Sequence, residues 1–161
     1  MTPDLILPLI PNLRRYARAL AANPGDAEDL VQDTLERAVR KFHLWRPGDL
    51  RAWLFSIMHN VFVNSLKRRK HATLDIDEME IAAPVASIDG TDLMDLHKAL
   101  QALPVEQREV VLLVALEDMS YVEVSRALGV PLGTVMSRLS RGRQRLRRHM
   151  EGEIHAEAVN A

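Results

Sequence analysis

Cysteine is absent from this sequence of 161 residues. A disulfide framework, a thiolate nucleophile and a cysteine-ligated metal site are therefore excluded. Aromatic residues are also scarce, at 4%, while apolar residues make up 47% of the chain. With so few rings, the interior has to be built from leucine, valine and alanine, which favours a mainly helical protein.

Long apolar runs are missing as well. No run approaches the ~18 residues that a membrane-spanning helix needs. The start does not have the pattern of a signal peptide, because Asp4 precedes a short apolar stretch that Pro8 and Pro11 interrupt. We therefore expect no membrane insertion and a cytoplasmic location.

Motifs of the common enzyme classes do not occur. The six histidines follow no metal-ligand spacing, and the sequence contains neither the phosphate-binding GxxxxGK[ST] nor the nucleophile motif GxSxG. The sequence thus predicts a protein that is not an enzyme, with no catalytic residue, no metal site and no cofactor.

The net charge of −1 conceals a strong segregation of charge along the chain. Residues 1–70 carry a net +5, residues 71–119 carry −9, residues 120–150 carry +6 and residues 151–161 carry −3. Two basic blocks therefore flank an acidic one. This pattern fits two modules that face nucleic acid, joined by a tether that phosphates repel.

The stretch Ser120–Arg148 predicts two helices joined by a tight turn. In the first helix, Val124, Ala127 and Leu128 recur at the spacing of one apolar face. Gly129 supplies the permissive backbone that ends this helix, and Pro131 prevents it from resuming.

The second helix separates a cationic stripe from an apolar one. At about 100° per residue, the apolar stripe lies roughly 100° from the cationic stripe. The cationic stripe comprises Thr134, Arg138, Arg141, Arg145 and Arg148, and the apolar stripe comprises Val135, Leu139, Gly142 and Leu146. A solvated basic face would explain the arginines alone, but the preceding helix and turn favour a helix-turn-helix that binds DNA.

The run SYVEVSRALGVPLGTVMSR within Met119–Arg138 resembles region four of the extracytoplasmic-function sigma factors, the small promoter-recognition subunits of bacterial RNA polymerase. Its Val-Pro-x-Gly-Thr-Val-x-Ser-Arg string is fairly specific to that family. The resemblance implies that this helix binds the minus-thirty-five promoter element. The residues it assigns to that contact are Thr134, Ser137, Arg138, Arg141 and Arg145.

A helix is also predicted from Ala27 to Phe42. Its expected core residues are Ala27, Leu30, Val31, Leu35, Ala38, Val39 and Phe42. The other side presents an acidic row, for which ordinary solvent exposure is one explanation. The segment DAEDLVQDTL resembles region two of the same sigma family, which implies that Asp29, Gln32 and Asp33 bind core RNA polymerase. These acidic side chains are electrostatically complementary to a basic protein surface and would be repelled by DNA.

Five of the seven aromatic residues lie within the 21 residues 42–62. Core packing is the ordinary role of each ring, but Trp45 in the loop 43–49 is a candidate for stacking against a flipped base. A long helix is predicted from Leu50 to Lys70, with a polar row that ends in a basic run. The resemblance implies that Asn60 and Asn64 bind the minus-ten element. The aromatic cluster and the nearby basic run add Trp45, Lys67 and Arg68 as candidates for the same contact. His59 stands where the family commonly has arginine, and Asn64 stands where aspartate is common.

Two further helices, 92–102 and 105–117, are expected to brace the helix-turn-helix, with Arg108, Glu109 and Glu117 exposed. The predicted fold is all-α, with two small helical domains joined by a flexible acidic linker. The predicted boundaries are 1–70 for region two, 71–91 for the linker, 92–150 for region four and 151–161 for an acidic tail without an assigned role.

These patterns lead to the hypothesis of a sigma factor whose partners are core RNA polymerase, promoter DNA and an anti-sigma protein. Two alternatives stay open. One is a helix-turn-helix regulator that binds an operator without polymerase. The other is an adaptor that imitates a sigma factor and sequesters its protein partner.

Overall fold

The computed structural model describes the backbone of residues 3–72 and 91–160, and the side chains of 3–71 and 92–152. Every regular element in these ranges is a helix, which confirms the all-α prediction. The elements are a 3-10 helix Pro3–Leu9, α1 Ile10–Leu20, α2 Pro24–Arg40, a second 3-10 helix Phe42–Leu44, α3 Leu50–Ala72, α4 Thr91–Gln101, α5 Val105–Ala115, α6 Tyr121–Leu128 and α7 Leu132–Asn160. The predicted linker 71–91 lies mostly outside the described residues.

The N-terminal half, residues 3–72, packs α1, α2 and α3 around a common core. The side chain of Asn23 caps α2 by accepting a hydrogen bond from the Asp26 backbone N–H at 2.8 Å, and Pro24 fits the first turn of that helix. The largest fully buried side chains of this half are Leu13, Leu20, Leu54, Met58 and Thr34.

One core residue predicted for α2 is wrong. Val39 is 54% exposed. At about 100° per residue, the buried positions of α2 span a sector of roughly 100°, and Val39 lies about 80° outside that sector. Thr34 lies inside it, where its hydroxyl donates to the Leu30 carbonyl at 2.7 Å and so satisfies its own polar group.

The C-terminal half, residues 91–160, contains the helix-turn-helix formed by α6 and α7. Ser120 and Glu123 cap α6 reciprocally as a capping box. Gly129 ends α6 in the left-handed region, with φ of 66°, as the sequence predicts. At Gly142, an added Cβ would lie 2.7 Å from Val111 Cγ2 of α5, so the absence of a side chain lets α7 approach α5 closely.

The two halves pack against each other, with α3 against α6 and α1 against both α4 and α5. The prediction that Arg108, Glu109 and Glu117 are exposed is wrong, because they are 7%, 2% and 2% exposed. Their periodic positions mark them as surface residues of their own half. The N-terminal half then covers that surface.

Arg108 is the central polar residue of this contact. Its guanidinium donates to the carbonyl of Leu20, the last residue of α1, at 2.9 Å. It also donates to three carbonyls at or beyond the end of α4, those of Leu100, Gln101 and Leu103, at 2.8 to 3.1 Å. Because terminal carbonyls have no partner within their own helix, Arg108 caps two helices from different halves at once.

Candidate polymerase and nucleic-acid interfaces

The predicted polymerase-binding residues lie together on the outer side of α2. Asp29, Gln32 and Asp33 are all exposed, while Leu30, Val31 and Thr34 between them face the core. The helix therefore presents an acidic surface whose side chains are free to meet a basic partner.

This acidic surface borders a groove of about 330 Å³ between α2 and α3. Asp29 and Asp33 line one side of the groove and Arg68 lines the other, while Gln101 and Arg108 of the C-terminal half also contribute to its lining. The structure thus brings predicted polymerase-binding residues and a predicted minus-ten residue to the same groove. Sequence patterns do not predict that these residues are neighbours, because α2 and α3 meet only in the folded chain.

Trp45 lies at the edge of the N-terminal core. Its ring centroid is 5.4 Å from that of Phe42, and Phe42 in turn meets Trp53 edge to face at 6.3 Å. One side of the Trp45 ring is therefore committed to the core, and the residue is half-buried. The part that stays exposed is available for stacking at this edge.

Asn60, Asn64, Lys67 and Arg68 are exposed along α3. Neither asparagine makes a hydrogen bond to any residue that the structure describes. Asparagine has a low helix propensity. No hydrogen bond within the described part of the chain accounts for the presence of Asn60 and Asn64 in α3. Their amides are free to bind an external partner.

The solvent-facing side of α7 overlaps the predicted cationic stripe only in part. Ser137, Arg141 and Arg145 are exposed, but Thr134 and Arg138 are half-buried. Exposed Met136 and Ser140 lie between the buried stripe of Val135 and Leu139 and the outermost position, Ser137. The predicted cationic stripe lies on the other flank and did not include these two residues.

Arginines flank this outward face on both sides. Arg143 and Arg147 line a shallow groove with Tyr121 and Met136 on one flank, and Arg145 lies on the other. A helix in the major groove has a phosphate strand on each side. Arginines on both flanks can therefore reach both phosphate strands. This favours DNA binding over the alternative of a basic face that is merely solvated.

Two ionisable groups near the junction of the halves, Glu123 and Tyr16, have pKa values shifted in opposite directions. A hydrogen bond from Arg51, followed by one from the Ser120 backbone, lowers the pKa of Glu123 to about 2. Burial, followed by repulsion from Glu109 and Glu117, raises the pKa of the Tyr16 phenol well above its usual value. Glu123 therefore stays charged and Tyr16 stays neutral across the physiological range.

We expect Tyr16 to resist ionisation at pH 10, where a tyrosine in an unfolded chain titrates. A group whose pKa is raised by folding stabilises the folded state below its unfolded pKa, and this contribution is lost as the pH rises through the folded value. In a Tyr121→Phe variant, Tyr16 is the sole tyrosine, so absorbance at 295 nm should show ionisation only above pH 10 and together with a loss of helical circular dichroism. The same variant in denaturant is the control, and reversible ionisation near pH 10 with full helicity would contradict the burial of Tyr16.

Within the described residues, no helix combines the length and apolarity needed to cross a membrane. The same part of the chain holds no group of three or more histidine, aspartate or glutamate residues placed to bind a metal ion.

Comparison with known families matches both halves separately. The family "Sigma-70, region 4" matches residues 93–146, and "Sigma2 domain of PhyR" matches residues 6–59. The chain is 36% identical to the ECF RNA polymerase sigma factor EcfG of Rhodopseudomonas palustris, over 89% of this chain and 81% of the relative.

Two solved structures resemble the chain over nearly its whole length. One is the sigma factor RpoE in complex with the anti-sigma factor NepR from Bartonella quintana, with a TM-score of 0.84 and 34% identity over 92% of this chain and 95% of that one. The other is CnrH in complex with the cytosolic domain of CnrY, with a TM-score of 0.70 and 27% identity over 92% of this chain and 86% of that one.

Proposed function

The chain belongs to the extracytoplasmic-function family of RNA polymerase sigma factors, and we propose how its surfaces divide the work of directing core polymerase to specific promoters. Region two, 1–70, binds polymerase and the minus-ten element. Region four, 92–150, binds the minus-thirty-five element, and 71–91 connects them. The polymerase performs the nucleotidyl transfer, so the protein acts as an initiation factor in the cytoplasm.

One observation carries this assignment furthest. The outward face of α7 presents Ser137 and Arg141 between two flanks of arginine, a distribution that matches a major groove and its two phosphate strands. Serine and arginine are side chains that hydrogen-bond base edges, and Arg141 has the reach for a bidentate contact with guanine.

The N-terminal half supplies the other two contacts in this proposal. Asp29, Gln32 and Asp33 on α2 bind a basic surface of the polymerase. Asn60 and Asn64 on α3, with Lys67, Arg68 and the exposed edge of Trp45, bind the minus-ten element. The exposure of these polar side chains supports the assignment, as does the absence of described hydrogen bonds to the two asparagines.

We also propose that an anti-sigma protein controls this chain. Two of the solved structures that resemble it over nine-tenths of its length each contain a partner: the sigma factor RpoE is in complex with the anti-sigma factor NepR, and CnrH is in complex with the cytosolic domain of CnrY. The similarity to both structures extends over both halves of this chain, which supports the proposal of an equivalent partner.

The decisive experiment is transcription by purified core polymerase, with and without this protein, on a pool of promoter fragments. Specific initiation that depends on the protein supports the sigma function. Tight operator binding without polymerase would favour a free-standing regulator, and polymerase binding without initiation would favour an adaptor that sequesters its partner.

Replacing Arg141 by alanine should weaken recognition of the promoter by ~1–3 kcal/mol, or roughly 5- to 150-fold, if this side chain reads a base. The loss should be confined to promoters that carry the preferred base, and substituted promoters should be nearly unaffected. Transcription on a set of single-base promoter variants measures this. Arg126→Ala on the exposed side of α6 is the matched control, and an equal loss on every variant would assign Arg141 to phosphate instead.

A further inference from the structure

The flank of α7 that carries Arg143 and Arg147 has an exposed apolar side chain, Met136, at its N-terminal end. At about 100° per residue, Met136 shares one stripe of the helix with these two arginines, which follow it by seven and eleven positions. Met136 is 52% exposed. Along this flank, the chain therefore presents an apolar group first and two cations after it.

Met136 also lines the shallow groove on this flank, which has a volume of about 320 Å³. Tyr121, the first residue of α6, lines the same groove and is 39% exposed. In chain order along α7, the lining changes from Met136 and Leu139 to Arg143 and Arg147. The apolar part of the groove therefore lies beside the start of α6, and the basic part lies further along α7.

The position of Met136 in the helix-turn-helix distinguishes it from an ordinary exposed apolar residue, which needs no functional explanation. Met136 is the fifth residue of α7, and the N-terminal residues of a recognition helix contact base edges in the major groove. Ser137 and Arg141, which we assign to base contacts, are exposed on the adjoining side of the helix. Met136 therefore extends the base-contacting surface toward one flank.

The two arginines of this flank lie too far along the helix to read the same base as Met136. At a rise of 1.5 Å per residue, Arg143 and Arg147 follow it by about 10 Å and 16 Å along the axis of α7. The major groove is about 12 Å wide, so a helix that enters it by its first turns brings its later turns to the phosphates at the edge. Met136 then faces bases while Arg143 and Arg147 face phosphates.

The chemistry of methionine restricts which base group it can recognise. Its thioether donates no hydrogen bond and is only a weak acceptor, so it cannot read the donors and acceptors of a base edge as Arg141 does. The apolar group that a base pair presents in the major groove is the C5-methyl of thymine. The unbranched, flexible side chain of methionine adapts its shape to such a group.

We propose that Met136 contacts the C5-methyl group of one thymine in the minus-thirty-five element and thereby selects an A·T pair at that position. This inference rests on the proposed function, and it deepens that function by naming a base and the residue that selects it. Ser137 and Arg141 recognise their bases by hydrogen bonds, whereas Met136 recognises a methyl group by apolar contact.

The test uses holoenzyme assembled from core polymerase and the full chain, on a promoter that the wild type selects from a pool. Each thymine of the minus-thirty-five element, on either strand, is replaced in turn by deoxyuridine, which removes the C5-methyl group and changes no hydrogen-bonding group. At one position, the wild type should need about fourfold more holoenzyme for half-maximal transcript yield, the factor expected for one buried methyl group. The Met136→Ala holoenzyme should use the thymine and deoxyuridine promoters equally well.

Two further variants separate recognition of the methyl group from a general loss of activity. Met94→Ala removes the same atoms from an exposed methionine of α4, outside the helix-turn-helix, and should keep the fourfold response to deoxyuridine. Met136→Gln should change the preferred base at the responsive position from thymine to adenine, because the glutamine amide pairs with N6 and N7 of adenine.

The outcomes for Met136 and for the sigma function are distinguishable. An equal response of the wild type and Met136→Ala to deoxyuridine at every position would overturn the role of Met136, as would a selected minus-thirty-five element without an A·T pair. Failure of the wild type to direct transcription from any promoter of the pool would instead reject the proposed sigma function, because thymine and deoxyuridine are compared only on a promoter that the wild type uses.

Discussion

Replacing Arg108 by alanine should lower the free energy of unfolding by about 3–5 kcal/mol, which makes it one of the most destabilising single changes available in this chain. Its guanidinium satisfies four backbone carbonyls, contributed by residues of both halves. In the alanine variant the carbonyl of Leu20 would keep the Gln101 amide as a donor, and the carbonyl of Leu100 would keep the Leu103 backbone N–H. The carbonyls of Gln101 and Leu103 would lose the donor that Arg108 supplies, and each acceptor left unsatisfied costs about 1–3 kcal/mol.

Urea denaturation followed by circular dichroism measures this loss. Arg108→Lys should give an intermediate value, because an ammonium group keeps the charge but cannot reproduce the planar fork that reaches four carbonyls. Arg126→Ala, on the exposed side of α6, should change stability by less than about 0.5 kcal/mol. Equal stability of Arg108→Ala and Arg126→Ala would show that water replaces the guanidinium at no cost.

Reversing the charge of Asp29 and Asp33 together should abolish promoter-directed transcription. Loss of an interfacial charge pair costs 2–5 kcal/mol, so the Asp29→Lys/Asp33→Lys variant should need at least ~100-fold more protein for the same transcript yield. Binding to immobilised core polymerase should fall in parallel, since the defect lies in polymerase contact and not in DNA recognition.

The control for this experiment is Glu28→Lys/Glu106→Lys, which changes the net charge equally on two other exposed positions. It should bind core polymerase as the wild type does. If Asp29→Lys/Asp33→Lys binds the polymerase normally but loses transcription, the groove beside Arg68 would have to serve DNA or a later step of initiation.

Local chemistry made the helix-turn-helix predictable. The capping box of Ser120 and Glu123 and the left-handed Gly129 each act within a few residues. The apolar period of α7 therefore identified its packed side correctly. The predicted cationic stripe contains arginines of one side only, whereas Arg143 and Arg147 lie on the other flank.

The docking of the halves could not be predicted in the same way. Periodicity marks Arg108, Glu109 and Glu117 as polar positions on a helix, and a polar position is ordinarily exposed. The partner of Glu109 is His59, 50 residues away in sequence, and the partner of Glu117 is Arg15, 102 residues away. Arg108 depends in part on a carbonyl at the end of α1. No local pattern records such a partner.

The packing partners of α3 could not be predicted from its apolar residues either. It contacts α2 and α6, and its buried positions include Ala52, Leu54, Phe55, Ile57, Met58, Val61 and Phe62. A helix with a partner on more than one side has a broad apolar surface, so the sequence shows a buried helix without showing what covers it.

The pairing of α3 with the C-terminal half has a consequence for how such sequences diverge. A change at position 51 or 59 alters a contact with position 123 or 109, which belongs to a different region of the chain. A single substitution at either end leaves a charge unmatched, and a second at the other end restores the match. Among related proteins that dock in this way, positions 51 and 123 should therefore covary, as should 59 and 109, although they lie 72 and 50 residues apart.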